Sequence, residues 1–272
     1  MSDSDDTLKI EIADKIAHLR INRTRQMNVI DPPMMERIKK IFAELDADDS
    51  VSVIILSGEG KHFGAGYDLT FAWGDTYGRD IFGQRKMLQD CVNFEYAPWD
   101  CSKPVIAMVR GYCLAGSCEL AMMCCVTMAS DNAMFGEPEI RFSTSPPAMI
   151  MPWVVGLKKA RELLYTGDMI PAEEALACGM INRVVPDDKL EDETMRLARR
   201  MAAISIEGLR TTKAAINKGA EIAGLRQAID YGIEQGAMLD STETEALKTF
   251  SEIRKAEGLK AAIRWRESQF PD

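Results

Sequence analysis

A single acidic residue, Glu119, stands in the stretch Gly111 to Ser130, GYCLAGSCELAMMCCVTMAS, with Arg110 and Asp131 as the nearest formal charges on either side. An ionised carboxylate is costly to bury alone, so such a group is paired, neutralised by a raised pKa, or retained because a reaction uses it. Two readings follow for Glu119. It is either a glutamate satisfied by an arginine or by backbone amides, or a general acid/base in an apolar cleft. Other chemistry-bearing residues give no framework. There are two histidines, His18 and His62, and seven scattered cysteines with no CxxC pair, which supplies no zinc or disulfide pattern. Cys113, Cys118, Cys124 and Cys125 lie in the apolar stretch and read as small hydrophobic filler. The segment Gly58 to Leu69, GEGKHFGAGYDL, carries four glycines, so its backbone can turn sharply and approach a ligand closely. The GxxxxGK[ST] spacing is absent, so this is not a nucleotide P-loop.

The elements that would position these residues alternate between strand and helix. Leu8 to Ile12 and Ile16 to Ile21 alternate apolar and polar residues around Ala-Asp-Lys, the pattern of a β-hairpin. Asp31 before Pro32-Pro33 is a helix start, and Met34, Met35, Ile38, Ile41, Phe42 and Leu45 follow at helical spacing to about Asp46. Val51 to Leu56 and Val105 to Val109 are apolar and rich in β-branched residues, as strands covered on both faces are. A helix is expected to begin near Gly116 and a strand to return at Val126 to Ala129. Ala133 to Ile140 reads as a short strand entering a turn at Glu137-Pro138-Glu139. Three prolines interrupt residues 143–153. Lys158 to Tyr165 and Pro171 to Cys178 look helical, with Gly167 and Gly179 as stops, and Met180 to Val185 is a short strand. From Leu190 to Phe270 the chain is rich in Ala, Glu, Arg and Lys and is expected to be helical. The sum is an α/β region over 1–190 followed by a helical region over 191–272.

The 272 residues are 46% hydrophobic, enough for a sizeable core, and the net charge of -9 argues against a nucleic-acid partner bound through an overall basic surface. No apolar run reaches the length of a membrane span. The start, MSDSDDTLK, is acidic and polar where a secretory signal would be basic and then apolar, so a cytoplasmic protein with no membrane partner is expected. Residues 1–7 read as an acidic tail.

HFGAGYDL, GYCLAGSCELAMM and FGEPEI, in this order, resemble the crotonase (enoyl-CoA hydratase/isomerase) superfamily. INRTRQMN near the start and LLYTGDMIPAEEALACGMINRVVP later extend the resemblance over nearly the whole chain. It implies a spiral of ββα units, with C-terminal helices that mediate homotrimers or homohexamers. It also implies an acyl-CoA substrate whose thioester carbonyl sits between two backbone amides, here those of Tyr67 and Gly116. A helix beginning at Gly116 agrees with this, because its unpaired first-turn N–H and its dipole favour a developing enolate oxygen. Glu119 and Glu139 fall at the two glutamate positions that hold and activate water in hydratases of the family. Arg25, Lys61 and Ala65 fall at coenzyme A-binding positions. No metal or cofactor is implied, since coenzyme A belongs to the substrate. By the same alignment Glu137 is a solvated or structural charge, and Asp68 closes the glycine-rich turn. Isomerisation of a double bond, C–C hydrolysis of a β-diketone or cyclic 2-oxo thioester, and a non-catalytic binding role are the rival readings.

Two departures from the family pattern stand out. After Glu139 the chain has STSPPAMIMPW over 143–153 where many hydratases have a glycine-rich turn, so the aim of Glu139 is where this chain is expected to differ. Residues 71–99 hold Phe71, Trp73, Tyr77, Phe82, Phe94, Tyr96 and Trp99. In the family this region lies beside the acyl chain, where aromatic walls suit a bulky or cyclic group; core packing or a subunit interface is the alternative.

Overall fold

The computed structural model describes residues 7–270, so the acidic tail read above lies, Thr7 apart, outside the described residues. Strands β1 (Leu8–Ala13) and β2 (Ile16–Ile21) form the expected hairpin. Its turn residues Asp14 and Lys15 both have positive φ, as a tight two-residue hairpin turn requires. Helix α1 (Pro32–Ala47) starts where the sequence places it, with the Asp31 carboxylate accepting from the Met34 amide at 3.0 Å. β3 (Val53–Gly58) follows, then α2 (Trp73–Tyr77) and the long α3 (Ile81–Asp100).

A repeating unit then builds the rest. β4 (Val105–Val109) joins the main sheet, β5 (Tyr112–Leu114) a second sheet, and α4 (Gly116–Met122) closes the unit. β6 (Val126–Ser130), β7 (Met134–Gly136) and α5 (Met151–Thr166) do the same again. β8 (Ile170–Pro171), α6 (Ala172–Ala177) and β9 (Arg183–Val185) complete the spiral. The main sheet runs β1-β2-β3-β4-β6-β9, parallel from β2 onward, and the second runs β5-β7-β8. This is the α/β spiral of ββα units that the sequence leads one to expect.

β3 and β4 explain their continuous apolar sequences. One face of the sheet packs on a large core that includes Ile54, Leu56, Val105, Ala107 and Val109 together with residues of α1, α3 and α4. On the other face, Val53, Ile55, Ile106 and Met108 meet Leu190 and Ala198 of α7 (Leu190–Ala202). Each such buried aliphatic side chain stabilises the fold by about 1.5–3 kcal/mol. Helices α8 (Ile206–Ile222), α9 (Leu225–Asp240), α10 (Glu245–Glu257) and α11 (Leu259–Glu267) complete the chain. Ile229, Ile233 and Ala237 of α9 enter the same core as Leu88 and Val92 of α3. The proline-interrupted segment is irregular only to Ile150; α5 begins at Met151, with Pro152 in a first turn that needs no proline N–H.

Candidate active site

The glycine-rich loop after β3 and the start of α4 are stitched together. Gly64 pairs with Cys113 as an isolated parallel bridge, Ile30 does so with Tyr67, and the Ser117 hydroxyl accepts from the Gly66 amide at 3.1 Å. Ala115, which precedes α4, has φ 55° and ψ -138°, a sparsely populated conformation for a residue with a Cβ that costs on the order of 1–3 kcal/mol. Its amide is held by the Gly136 carbonyl at 2.8 Å. The turn leaves the Gly116 amide as the first donor of a helix, free of a carbonyl four residues back. Among the loop and cap hydrogen bonds of the described residues, neither the Tyr67 nor the Gly116 amide donates to a carbonyl. The two residues touch: a Cβ on Gly116 would lie 2.3 Å from the Tyr67 ring, so only glycine fits. The structure therefore brings into contact Tyr67 and Gly116, the two residues whose amides the resemblance designates.

Four glutamates share the apolar interior below them. Glu95 and Glu119 are 0% exposed, Glu137 is 1% and Glu139 is 8%. The Ala148 amide donates to Glu119 Oε1 at 2.7 Å, and the Tyr67 hydroxyl donates to Glu95 Oε1 at 2.5 Å. The second oxygens of Glu95 and Glu119 have no donor, nor does either oxygen of Glu137. Only the residue's own amide reaches the Glu139 carboxyl. Among the described residues, no lysine, arginine or histidine is among the groups that shift any of the four. Burial pushes Glu95 and Glu139 up to about 8. It pushes Glu119 well above the carboxylate range, reinforced by Glu95, Glu137 and Glu139, and Glu137 likewise, reinforced by Cys118, Glu139 and Glu95. Such a cluster holds several protons at neutral pH. Glu137 is thus not solvated, contrary to that part of the sequence reading: its side chain is folded inward at 1% exposure, just before a 3-10 turn (Pro138–Phe142) in which Glu139 is the buried residue.

The altered loop is hydrogen-bonded to both glutamate-bearing segments. Ala148, within that loop, is the residue that binds Glu119, and the Thr144 amide donates to the Glu139 carbonyl at 3.2 Å. Asp68 is structural, as expected. It accepts from the Thr70 amide at 2.8 Å, the Thr70 hydroxyl at 2.6 Å and Arg23 at 2.9 Å.

Glu95 is the site residue that sequence reasoning missed. It lies three and four residues beyond Val92 and Cys91 and seven beyond Leu88, all buried, so it falls on the apolar stripe of its helix, and that spacing was the available signal. The coenzyme A candidates sit together outside the acidic interior. Arg25 and Lys61 are exposed and Ala65 is half-buried, its amide donating to the Met27 carbonyl at 3.0 Å. An open cleft of about 550 Å³ has Lys61, His62, Arg110 and Tyr112 in its lining, and none of the four glutamates. The aromatic cluster divides. Phe71, Trp73 and Tyr77 form an edge-and-stack series that starts against the Tyr67 ring at 5.6 Å. Phe94 is in the core, Tyr96 lies under Arg226 and Phe82 is 81% exposed.

Residues 11–258 match the family model described as enoyl-CoA hydratase/isomerase. A relative from Rhizobium meliloti named "Probable enoyl-CoA hydratase" is 32% identical over 93% of this chain and 97% of its own length. A Syntrophomonas wolfei protein named "Crotonyl-CoA hydratase" is 31% identical over 91% of this chain and 95% of its own. A crystal structure of an enoyl-CoA hydratase/isomerase from Xanthobacter autotrophicus Py2 superposes with a TM-score of 0.94 at 35% identity, covering 98% of this chain and 99% of that one.

Proposed function

The chain belongs to the enoyl-CoA hydratase/isomerase family, and on that premise we propose that it is a hydro-lyase adding water reversibly to a 2-enoyl-CoA thioester. The observation that supports the reading is that the Tyr67 and Gly116 amides are unclaimed by loop and cap carbonyls, while Tyr67 is hydrogen-bonded through Glu95 to a buried set of carboxyls that includes Glu119 and Glu139. The thioester oxygen accepts from both amides, which stabilise the enolate as it develops; one such donor is worth about 10²–10³-fold in other oxyanion holes. Glu119 is assigned as the base: the Ala148 amide donates to its Oε1 and supports its charged form, against the burial and neighbouring glutamates that push its carboxyl up. Glu139, with no outside donor and a carboxyl pushed up to about 8, is the acid. The water oxygen bonds C3 while its proton goes to Glu119, and Glu139 protonates C2.

Arg25, Lys61 and Ala65 border the nucleotide portion of coenzyme A in this reading, and Phe71, Trp73 and Tyr77 form the acyl-side wall, which suits a bulky or cyclic acyl group. The protein works in the cytoplasm as a homotrimer or homohexamer. Ile216 and Ile222 of α8 and Tyr231 of α9 support association through the C-terminal helices, since each exposes most of a large apolar side chain.

The test is mass spectrometry of linear and cyclic 2-enoyl- and 3-oxoacyl-CoA thioesters incubated with the wild-type protein and with Glu119→Gln. Reversible gain of one water by an enoyl-CoA, lost in the variant, is the expected result. Carbon–carbon cleavage or ring opening instead would move the assignment to a hydrolase, and a preference for short linear substrates would remove the aromatic-wall part.

A further inference from the structure

Glu95 has no part in the reaction as set out above, yet it occupies the point where the oxyanion loop and the candidate base meet. Its Oε1 accepts from the Tyr67 hydroxyl at 2.5 Å, while the same tyrosine presents its amide to the thioester position and its ring to Gly116. Its carboxyl is also within hydrogen-bonding reach of Glu119. The Oε2 atoms of Glu95 and Glu119 are both fully buried, and neither has a donor among the described residues. Two adjacent buried carboxylates would repel, whereas one proton held between the two carboxyls removes that repulsion and supplies the donor that the pair lacks.

We propose that Glu95 and Glu119 share one proton and work as a single monoanionic carboxyl pair, with Glu95 the positioning residue that sets the basicity of Glu119 and, through Tyr67, the place of the oxyanion amide. The inference rests on the hydratase reading for its kinetic consequence and stands apart from it for its protonation state.

The surroundings define what the pair responds to. Tyr67 faces Glu95 from the glycine-rich loop, Cys91 from its own helix, Glu119 from α4, and Glu137 and Glu139 from the turn after β7. Asp240 of α9 reaches Cys91. None of these is a cation, so among the described residues no positive side chain competes with the proton for the pair. During hydration the proton leaving water enters the pair, which becomes neutral with both carboxyls protonated, and Glu139 becomes a carboxylate after protonating C2. Return of one proton from the pair to Glu139 restores the starting state. Which of the two oxygens holds the shared proton is a property of the pair and not of either residue.

Two substitutions in the full chain test this, because they act differently on the two ionisations of the pair. Glu95→Gln keeps a partner for Tyr67 but replaces the carboxylic acid that shares its proton with Glu119 by a weaker amide donor, so the working monoanion is less stabilised and the second ionisation of the pair is abolished. The acid limb of kcat/KM then moves to higher pH by about 1–3 units. Tyr67→Phe removes a donor that favours the charged pair, so the limb also moves to higher pH, with both ionisations kept. A merely structural role for Glu95 would lower kcat/KM in both variants without moving either limb. Infrared titration of the ligand-free proteins with ¹³C-labelled glutamate reads the same pair without turnover. Wild type shows a protonated carboxyl band that Glu95→Gln diminishes at neutral pH. An unshifted limb together with an unchanged carboxyl titration in Glu95→Gln would overturn the inference. Absence of turnover by the wild type would count against the hydratase reading alone, leaving the infrared titration to decide the pair.

Discussion

Asp68 and the four glutamates are neighbours in the chain's architecture and opposites in their electrostatics. Asp68 is 6% exposed, hardly more accessible than the glutamates. Burial pushes its carboxyl upward, but the Thr70 hydroxyl and amide and the Arg23 guanidinium outweigh it and leave the group below the usual range. Arg23 is in turn shared with Asp31 and held by the Val29 carbonyl. Each charge there has donors or acceptors on every side, which is how a buried ion pair becomes a fixed corner of a turn. In the glutamate interior burial acts with little against it: among the described residues, the Ala148 amide, the Tyr67 hydroxyl and Glu139's own amide are the donors for four carboxyls. Burial alone therefore does not distinguish a structural acid from a reactive one; the supply of donors does.

The largest expected effect breaks the reactive side. Glu119→Gln removes the base and lowers kcat by about 10²–10⁴-fold on any enoyl-CoA that the wild type hydrates. Its thermal stability should be equal or higher at alkaline pH, because one repelling carboxyl is gone. An unaltered rate would mean that the chemistry is elsewhere. The corresponding break on the structural side is Asp68→Asn. It should leave the pH dependence of catalysis in place but cost about 2–4 kcal/mol of stability in denaturant titration, since Arg23 loses a charged acceptor. If Asp68→Asn instead lost activity with stability intact, the contrast between the two regions would be misplaced.

How much of this contrast was legible beforehand depends on local signal. Val105 to Val109 and the helix start at Gly116 are where the sequence reading puts them, because a strand buried on both faces and a glycine turn before a helix are written in consecutive residues. Glu119 was legible because no other charge stands near it. Glu95 was not, because Gln89, Asp90, Asn93 and Asp100 on the same helix make it look like one more solvated polar residue. What turns Glu95 inward is the packing of α3 against α4 and α9, a relation between segments far apart in sequence. The solvated alternative for Glu137 failed for a related reason: a Glu-Pro-Glu sequence matches an exposed turn, and only the tertiary burial of Glu137 and Glu139 themselves shows otherwise.

A pH titration of stability sharpens the comparison, because the two regions have opposite signs. Glu95 and Glu139 have folded values raised to about 8. Their contribution is fully present below the unfolded carboxyl value and is lost as pH rises through about 8. Asp68 has a lowered folded value. Its contribution is present above the unfolded value and is lost as pH falls through the folded one. Melting temperature should fall at both edges, with Glu139→Gln flattening the alkaline edge only and Asp68→Asn the acid edge only. A Glu139→Gln protein whose alkaline edge coincides with wild type would show that this carboxyl is already ionised at neutral pH.

The smallest expected effect is the most discriminating for the composition of the acidic interior. Glu137 is buried without a donor to either oxygen among the described residues, and burial, Cys118, Glu139 and Glu95 all push its carboxyl up, so the neutral acid is the form expected to predominate. Exchange for glutamine then replaces one neutral donor by another, and stability at about pH 7 should change by no more than about 1 kcal/mol, with kcat/KM close to wild type. Above the folded value the variant should gain relative to wild type, because only the wild type must ionise a buried group. Denaturant titration of Glu137→Gln at neutral and alkaline pH measures both. A loss of about 3–5 kcal/mol at neutral pH would mean that Glu137 is a paired, charged carboxylate of the Asp68 kind. That result would move it to the structural side of the comparison and leave three carboxyls, not four, to hold the protons of the interior.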